Sequence, residues 1–185
     1  MATGLITAVL LDFTPLLQRA LYPLLVASQA IPIIAIAPLF VLWFGFGLLP
    51  KVLVVTLVCF FPVTVATYDG LRGTDPELIK LYRTFGAKTW SLFWRIRLPS
   101  ALPSFFSGLR IAATYAVVGA IFSEYIEAFT SLGIFLQDAQ HSFRTALVFG
   151  IVIVTALLSI ALFLAVHLVE RLCIPWYFAS GRGRK

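Results

Sequence analysis

Charge is what this sequence has least of. Of 185 residues only 12% are Asp, Glu, Lys or Arg, where a soluble domain carries about 25%. That is too little to clothe a water-facing surface, and the mean hydropathy of +0.99 argues the same way. Cysteine is limited to Cys59 and Cys173, which excludes a disulfide framework; each reads as a small apolar filler. The two histidines, His141 and His167, stand too far apart along the expected topology to share a metal, so neither metal site nor cofactor is expected. There is no Gly-x-x-x-x-Gly-Lys-Ser/Thr loop to cradle nucleotide phosphates, no His-Glu-x-x-His pair and no Gly-x-Ser-x-Gly elbow. The chain is not expected to be an enzyme.

What is present is apolar length. No charged residue occurs in the 31 positions from Ala20 to Pro50, the 17 from Val52 to Tyr68, or the 25 from Thr145 to Val169, and Arg110 is the only charge in the 26 from Leu98 to Ser123. A helix needs about 20 apolar residues to cross about 30 Å of hydrocarbon. Four spans are expected, around Leu24–Phe46, Val52–Tyr68, Pro103–Ile126 and Arg144–Glu170. Pro23, Pro32 and Pro38 interrupt the first, which reads as a short amphipathic lead-in followed by a tilted span. Pro62 is expected to kink the second. The 11 apolar residues Met1–Leu11 are too short to cross and lack a basic leader. They read as the tail of a span whose beginning is missing. The fold class is all-α, a polytopic membrane helical bundle. Its main domain is expected over 1–178, with a basic tail at 179–185.

Basic residues set the topology. Seven of the 14 lie between Arg72 and Arg110, and four more close the chain. The positive-inside rule places both segments, and Arg19, in the cytoplasm, leaving Lys51 and Arg144 outside. Counting spans gives the same alternation. The net charge of +6 is therefore a matter of topology, and no nucleic-acid partner is expected.

The most patterned stretch is 74–99. Thr74-Asp75-Pro76-Glu77 is a helix start: Asp75 or Thr74 can cap free amides, proline suits the first turn, and Glu77 suits the positive end of the dipole. The helix should run to Phe85, where Gly86 supplies a left-handed stop. A second helix starts near Thr89, puts Trp90, Phe93 and Trp94 on one face and Arg95 and Arg97 elsewhere on the surface, and ends at Leu98-Pro99, with Pro103 opening the next span. From the residues alone two readings stay open: an amphipathic segment resting on anionic headgroups, or a bracket that docks into a partner. Trp43, Trp176 and Tyr177 read as interfacial anchors. Ser131-Leu132-Gly133 is a turn in the outer loop. Glu124 reads either as a pathway or gate residue or as a carboxylate reaching headgroup water; Glu127 favours the water. Gln29, Thr114 and Tyr115 are weaker pathway candidates.

Gly86, Ile96, Leu98 and Pro99 stand at the spacing of the "EAA" loop of binding-protein-dependent ABC permeases: Glu-Ala-Ala, three residues, Gly, nine residues, Ile, one residue, Leu-Pro. The chain resembles that family, although Lys80-Leu81-Tyr82 replace Glu-Ala-Ala. Ala30-Ile31-Pro32, Ala37-Pro38-Leu39, Leu42–Gly47 and Asp69–Arg72 are similar to the branch for nitrate, sulfonates and taurine, which also includes permeases for thiamine-precursor pyrimidines and riboflavin. The resemblance implies the type I importer fold, with its first span lacking here, in the bacterial inner membrane. It implies a pair of permease copies, two ATPase subunits that bind the ATP, and an extracytoplasmic solute-binding protein. Glu77, Lys80, Arg83, Thr84, Phe85, Gly86, Ala87, Lys88, Ile96, Leu98 and Pro99 would form the ATPase-coupling bracket. The alternatives are a secondary transporter or channel, which should carry charged or broken-helix sites at mid-membrane, and a non-transporting membrane scaffold.

Overall fold

In the computed structural model, residues 2–127 and 132–180 are described. The side chain of Glu127, the first residue of the Ser131–Gly133 turn and the basic residues after 180 lie outside that set. The described chain is helical with no strand: α1 Ala2–Phe13, α2 Pro15–Ser28, α3 Ile33–Phe44, α4 Leu48–Arg72, α5 Pro76–Thr84, α6 Thr89–Leu92, α7 Leu98–Glu127, α8 Leu132–His141, α9 Thr145–Cys173 and α10 Pro175–Ser180. A π-helical turn, Phe93–Arg97, joins α6 to α7 without a break.

Among the described residues three helices are long and apolar enough to cross a membrane: α4 with 25 residues, the α6–α7 run with 36 over Thr89–Glu124, and α9 with 29. At 1.5 Å per residue even α4 reaches about 38 Å. The span expected over Leu24–Phe46 is not one helix. Pro32 has no N–H to donate and sits extended at the start of α3, with ψ of 129°, so α2 and α3 are separate helices. The 12 residues of α3 reach only about 18 Å. Pro23 and Pro38, by contrast, are carried inside their helices. Pro99 and Pro103 do not divide the bracket from its span either: the helix runs through both. Each lacks an amide hydrogen and crowds the carbonyl four residues before it, and the π turn lies just ahead of them.

The α4–α7 pair is the centre of the fold. A Cβ at Gly108 would meet Ala66 Cβ and the Pro62 carbonyl at 2.7 Å, and one at Gly70 would meet Ser104 Cβ at 2.6 Å. Small residues on both helices let the backbones touch, which is how helices associate where lipid gives no hydrophobic drive. Cys59, Val63 and Ala112 are buried in this seam, flanked by Val55, Phe105, Leu109 and Ala116. On one side α1 lays Ala8 and Leu11 against Tyr68. On the other α9 packs against α7, yet none of its most apolar window is buried. A helix this apolar and this uncovered has lipid, or another membrane subunit, as its solvent.

Candidate functional site

The bracket forms as its residues dictate. Asp75 Oδ1 accepts the Glu77 backbone N–H at 2.8 Å, and Thr74, itself buried, donates to the Leu71 carbonyl at 3.0 Å. These two bonds fix α5 to the end of α4. Gly86 has φ of +78°. The Gly86 and Ala87 N–H groups donate to Arg83 O at 2.9 Å and Tyr82 O at 3.1 Å, closing the turn. Lys88 then begins α6, its carbonyl accepting from Leu92 N at 3.0 Å.

The expected coupling residues fall into two groups. Glu77, Lys80, Arg83, Thr84, Phe85, Gly86 and Lys88 are exposed and Ala87 is half-buried, and α5 has no buried residue at all. Phe85 is 80% exposed and Trp90 65%, with Leu78, Leu81, Tyr82 and Trp94 also uncovered. These are large uncovered apolar side chains on an otherwise polar segment, a kind of surface that calls for an explanation. Ile96 is buried, and Leu98 and Pro99 are partly so. Those three anchor the bracket rather than present it. The aromatic face is likewise divided: Phe93 is buried against Phe13, ring centroids 5.1 Å apart, while Trp90 and Trp94 stay outside.

Between α2–α3 and the α4–α7 pair lies a cavity of about 750 Å³. Gln29 and Tyr115 both line it, together with Ser28, Phe61 and Asp69, and no lysine or arginine does so among the described residues. Asp69 accepts from the Tyr22 hydroxyl at 3.0 Å. The break between α2 and α3 opens this cavity, so the proline that spoils the first span also shapes the hollow. Thr114 does not line it; its hydroxyl bonds the Arg110 carbonyl at 3.2 Å. Glu124 lies apart, beside Lys51 in a second, smaller hollow, where it accepts the Gly133 N–H at 3.3 Å.

Two ionic clusters escaped the sequence reading. Asp12 is paired with Arg97 at 2.6 Å, so Arg97 is not the surface residue expected. Glu170, its side chain 3% exposed, meets Arg110 and His167, each at 3.2 Å, and ties α9 to α7. The available signal was position: each is a lone carboxylate bordering a long apolar run, where an unpaired charge is costly. No group of His, Cys, Asp and Glu able to hold a metal occurs among the described residues.

Comparison with known proteins agrees with this architecture. The family model for the binding-protein-dependent transport system inner membrane component matches residues 1–177. The chain is 44% identical over 173 residues to the formylaminopyrimidine transport permease protein ThiX of Halalkalibacterium halodurans, covering 94% of this chain and 69% of that one. It is 39% identical to the riboflavin transport system permease protein RibX of Chloroflexus aurantiacus, covering 86% and 60%. It is 32% identical to the putative aliphatic sulfonates transport permease protein SsuC of Bacillus subtilis, covering 94% and 63%. The chain thus spans roughly two thirds of the length of these relatives. With long apolar helices, a small-residue seam and an exposed bracket in one molecule, the match has a physical basis, and this multi-pass inner-membrane chain belongs to the family of inner membrane components of binding-protein-dependent transport systems.

Proposed function

We propose that the chain is the permease subunit of an ABC importer, working as a pair of copies with two ATPase subunits on the bracket side and a solute-binding protein on the other. The observation that carries the coupling role is the bracket's uncovered apolar face around Phe85 and Trp90, held by a capped helix and a left-handed glycine. A segment meant only to rest on headgroups would need no such fixed turn. The bracket and the C-terminus lie in the cytoplasm, as the basic residues require. The broken α2–α3 helix beside a polar cavity would suit a secondary transporter as well; the exposed bracket, for which such a transporter has no use, is what favours the ATPase-driven reading.

The substrate cavity is the hollow lined by Gln29, Phe61, Asp69 and Tyr115. Sulfonates and nitrate are anions, and a wall with a carboxylate and no cation repels them. An amide, a carboxylate and two aromatic rings suit a neutral or cationic nitrogen heterocycle, which stacks on the rings and donates to the acceptors. We therefore assign the substrate to the heterocyclic vitamin-precursor class rather than to the anions. The test is uptake into liposomes carrying the complete transporter, comparing labelled formylaminopyrimidine with labelled ethanesulfonate, a plain anion. Uptake of the heterocycle alone is expected; preferential uptake of the sulfonate would refute the assignment.

A further inference from the structure

The π turn Phe93–Arg97 interrupts the regular α-helical ladder. Its hydrogen bonds span one residue more than those of an α-helix, and such turns are frequent at functional sites. It joins the exposed part of the bracket to α7. Force applied to Phe85 would be absorbed there as bending unless something braces it.

Arg97, the last residue of that turn, supplies the brace. Its Nη2 donates to Asp12 Oδ1 at 2.6 Å and to the Leu71 carbonyl at 3.2 Å. One guanidinium therefore joins the bracket to α1 and to the bracket end of α4. The Asp12 side chain is 1% exposed and that of Arg97 20%, so the pair works with little solvent screening. Arg72 adds a second positive charge, its Nε 4.0 Å from the same oxygen, and donates to Gln18 of α2. Around the ions, Leu71, Phe93 and Ala101 are buried with Val9 and Leu98 against them.

The brace is half-made. Asp12 Oδ2 and Arg97 Nε are both buried and have no hydrogen-bond partner among the described residues. An orphaned acceptor and an orphaned donor are each costly, and here they belong to the two residues already in contact. A small rotation would turn the single bond into the two-point fork that arginine and carboxylate prefer, satisfying both atoms at once. The single-point arrangement is the one observed, and the forked one lies a small displacement of Arg97 relative to α1 away from it. An element with two discrete arrangements is what transmission between distant sites requires.

We propose that Asp12 and Arg97 are positioning residues of the coupling path, an ionic strut that passes the bracket's displacement into α1 and α4 and closes to the forked form during the transport cycle. The inference rests on the permease reading above. Its test uses the complete transporter in liposomes with D12N and R97K, which keep side-chain size or charge but cannot form the fork between two ions. Three quantities are measured: co-purification of the ATPase, ATP hydrolysis, and formylaminopyrimidine imported per ATP hydrolysed. Both variants are expected to keep the ATPase and to hydrolyse ATP, while import per ATP falls by about tenfold, the scale of an ordinary coupling free energy. An unchanged ratio in either variant would overturn the strut. So would a parallel fall of association, hydrolysis and import, which would reduce the pair to a fold-holding role. A native chain that fails to retain the ATPase at all would instead remove the permease reading, and this inference with it.

Discussion

Among the described residues two carboxylates, Asp12 and Glu170, are almost wholly hidden, and each sits near a helix junction. Glu170 is the simpler. Flanked by Arg110 and His167 at 3.2 Å, it closes α9 onto α7, and removing it would leave Arg110 without its counter-ion at the edge of the apolar layer. Breaking one partner of a buried pair costs about 3 kcal/mol or more. Thermal unfolding in detergent should therefore show E170A with a clearly lowered midpoint, and R110M/E170M, which removes both charges, recovering much of the loss. A midpoint for E170A equal to that of the unaltered protein would show the pair to be idle. Gly108 makes a different demand. Its missing side chain lets α7 lie on the Pro62 carbonyl, where a Cβ would be 2.7 Å away. G108L should cost on the order of 2 kcal/mol by overpacking, and backbone cannot yield there as a flexible side chain would. A stability assay insensitive to G108L would mean that the two helices cross elsewhere.

At the scale of elements the bracket is the part most cleanly specified. A capping aspartate, a proline in the first turn and a glycine at +78° fix where α5 begins and ends. Substituting D75A should loosen the start of α5 by about 1 kcal/mol, seen as faster amide exchange in Glu77–Lys80 with the spans unaffected. Replacing Gly86 by valine, which tolerates positive φ poorly, should weaken association with the ATPase while the chain still inserts. Undiminished co-purification of G86V would favour the scaffold reading. These elements were legible because local chemistry alone produces them. The first span was not. Pro23, Pro32 and Pro38 look equivalent in sequence, but of these only Pro32 lies at a helix boundary, capping the start of α3. A proline's effect depends on whether neighbouring helices can accept the bend, and no local rule holds that information. Leu98-Pro99 likewise reads as a stop, whereas the helix continues through both residues after the π turn.

For the whole molecule the central expectation is orientation. Twelve of 14 basic residues fall on one side in the span count, and the proposed cytoplasmic bracket rests on that bias under the positive-inside rule. With Cys59 and Cys173 replaced by alanine, a cysteine introduced at Lys88 should react with a membrane-impermeant maleimide only after the vesicles are opened from the cytoplasmic side. Labelling from the outer face would put the bracket out of an ATPase's reach. Composition and apolar run length sufficed to establish a multi-pass helical membrane protein, because charge cannot be hidden in lipid and the hydrocarbon thickness sets how long a span must be. The bracket's spacing sufficed for the family resemblance, since its capping and turn chemistry is local. What only the tertiary structure decided is which polar residues meet. Gln29 and Tyr115 share a cavity with Asp69, Thr114 turns away to its own helix, and Asp12 finds Arg97 across 85 positions of chain. Such meetings depend on how helices cross and bend, and crossing is settled by the summed contacts of whole helix faces, not by any short motif.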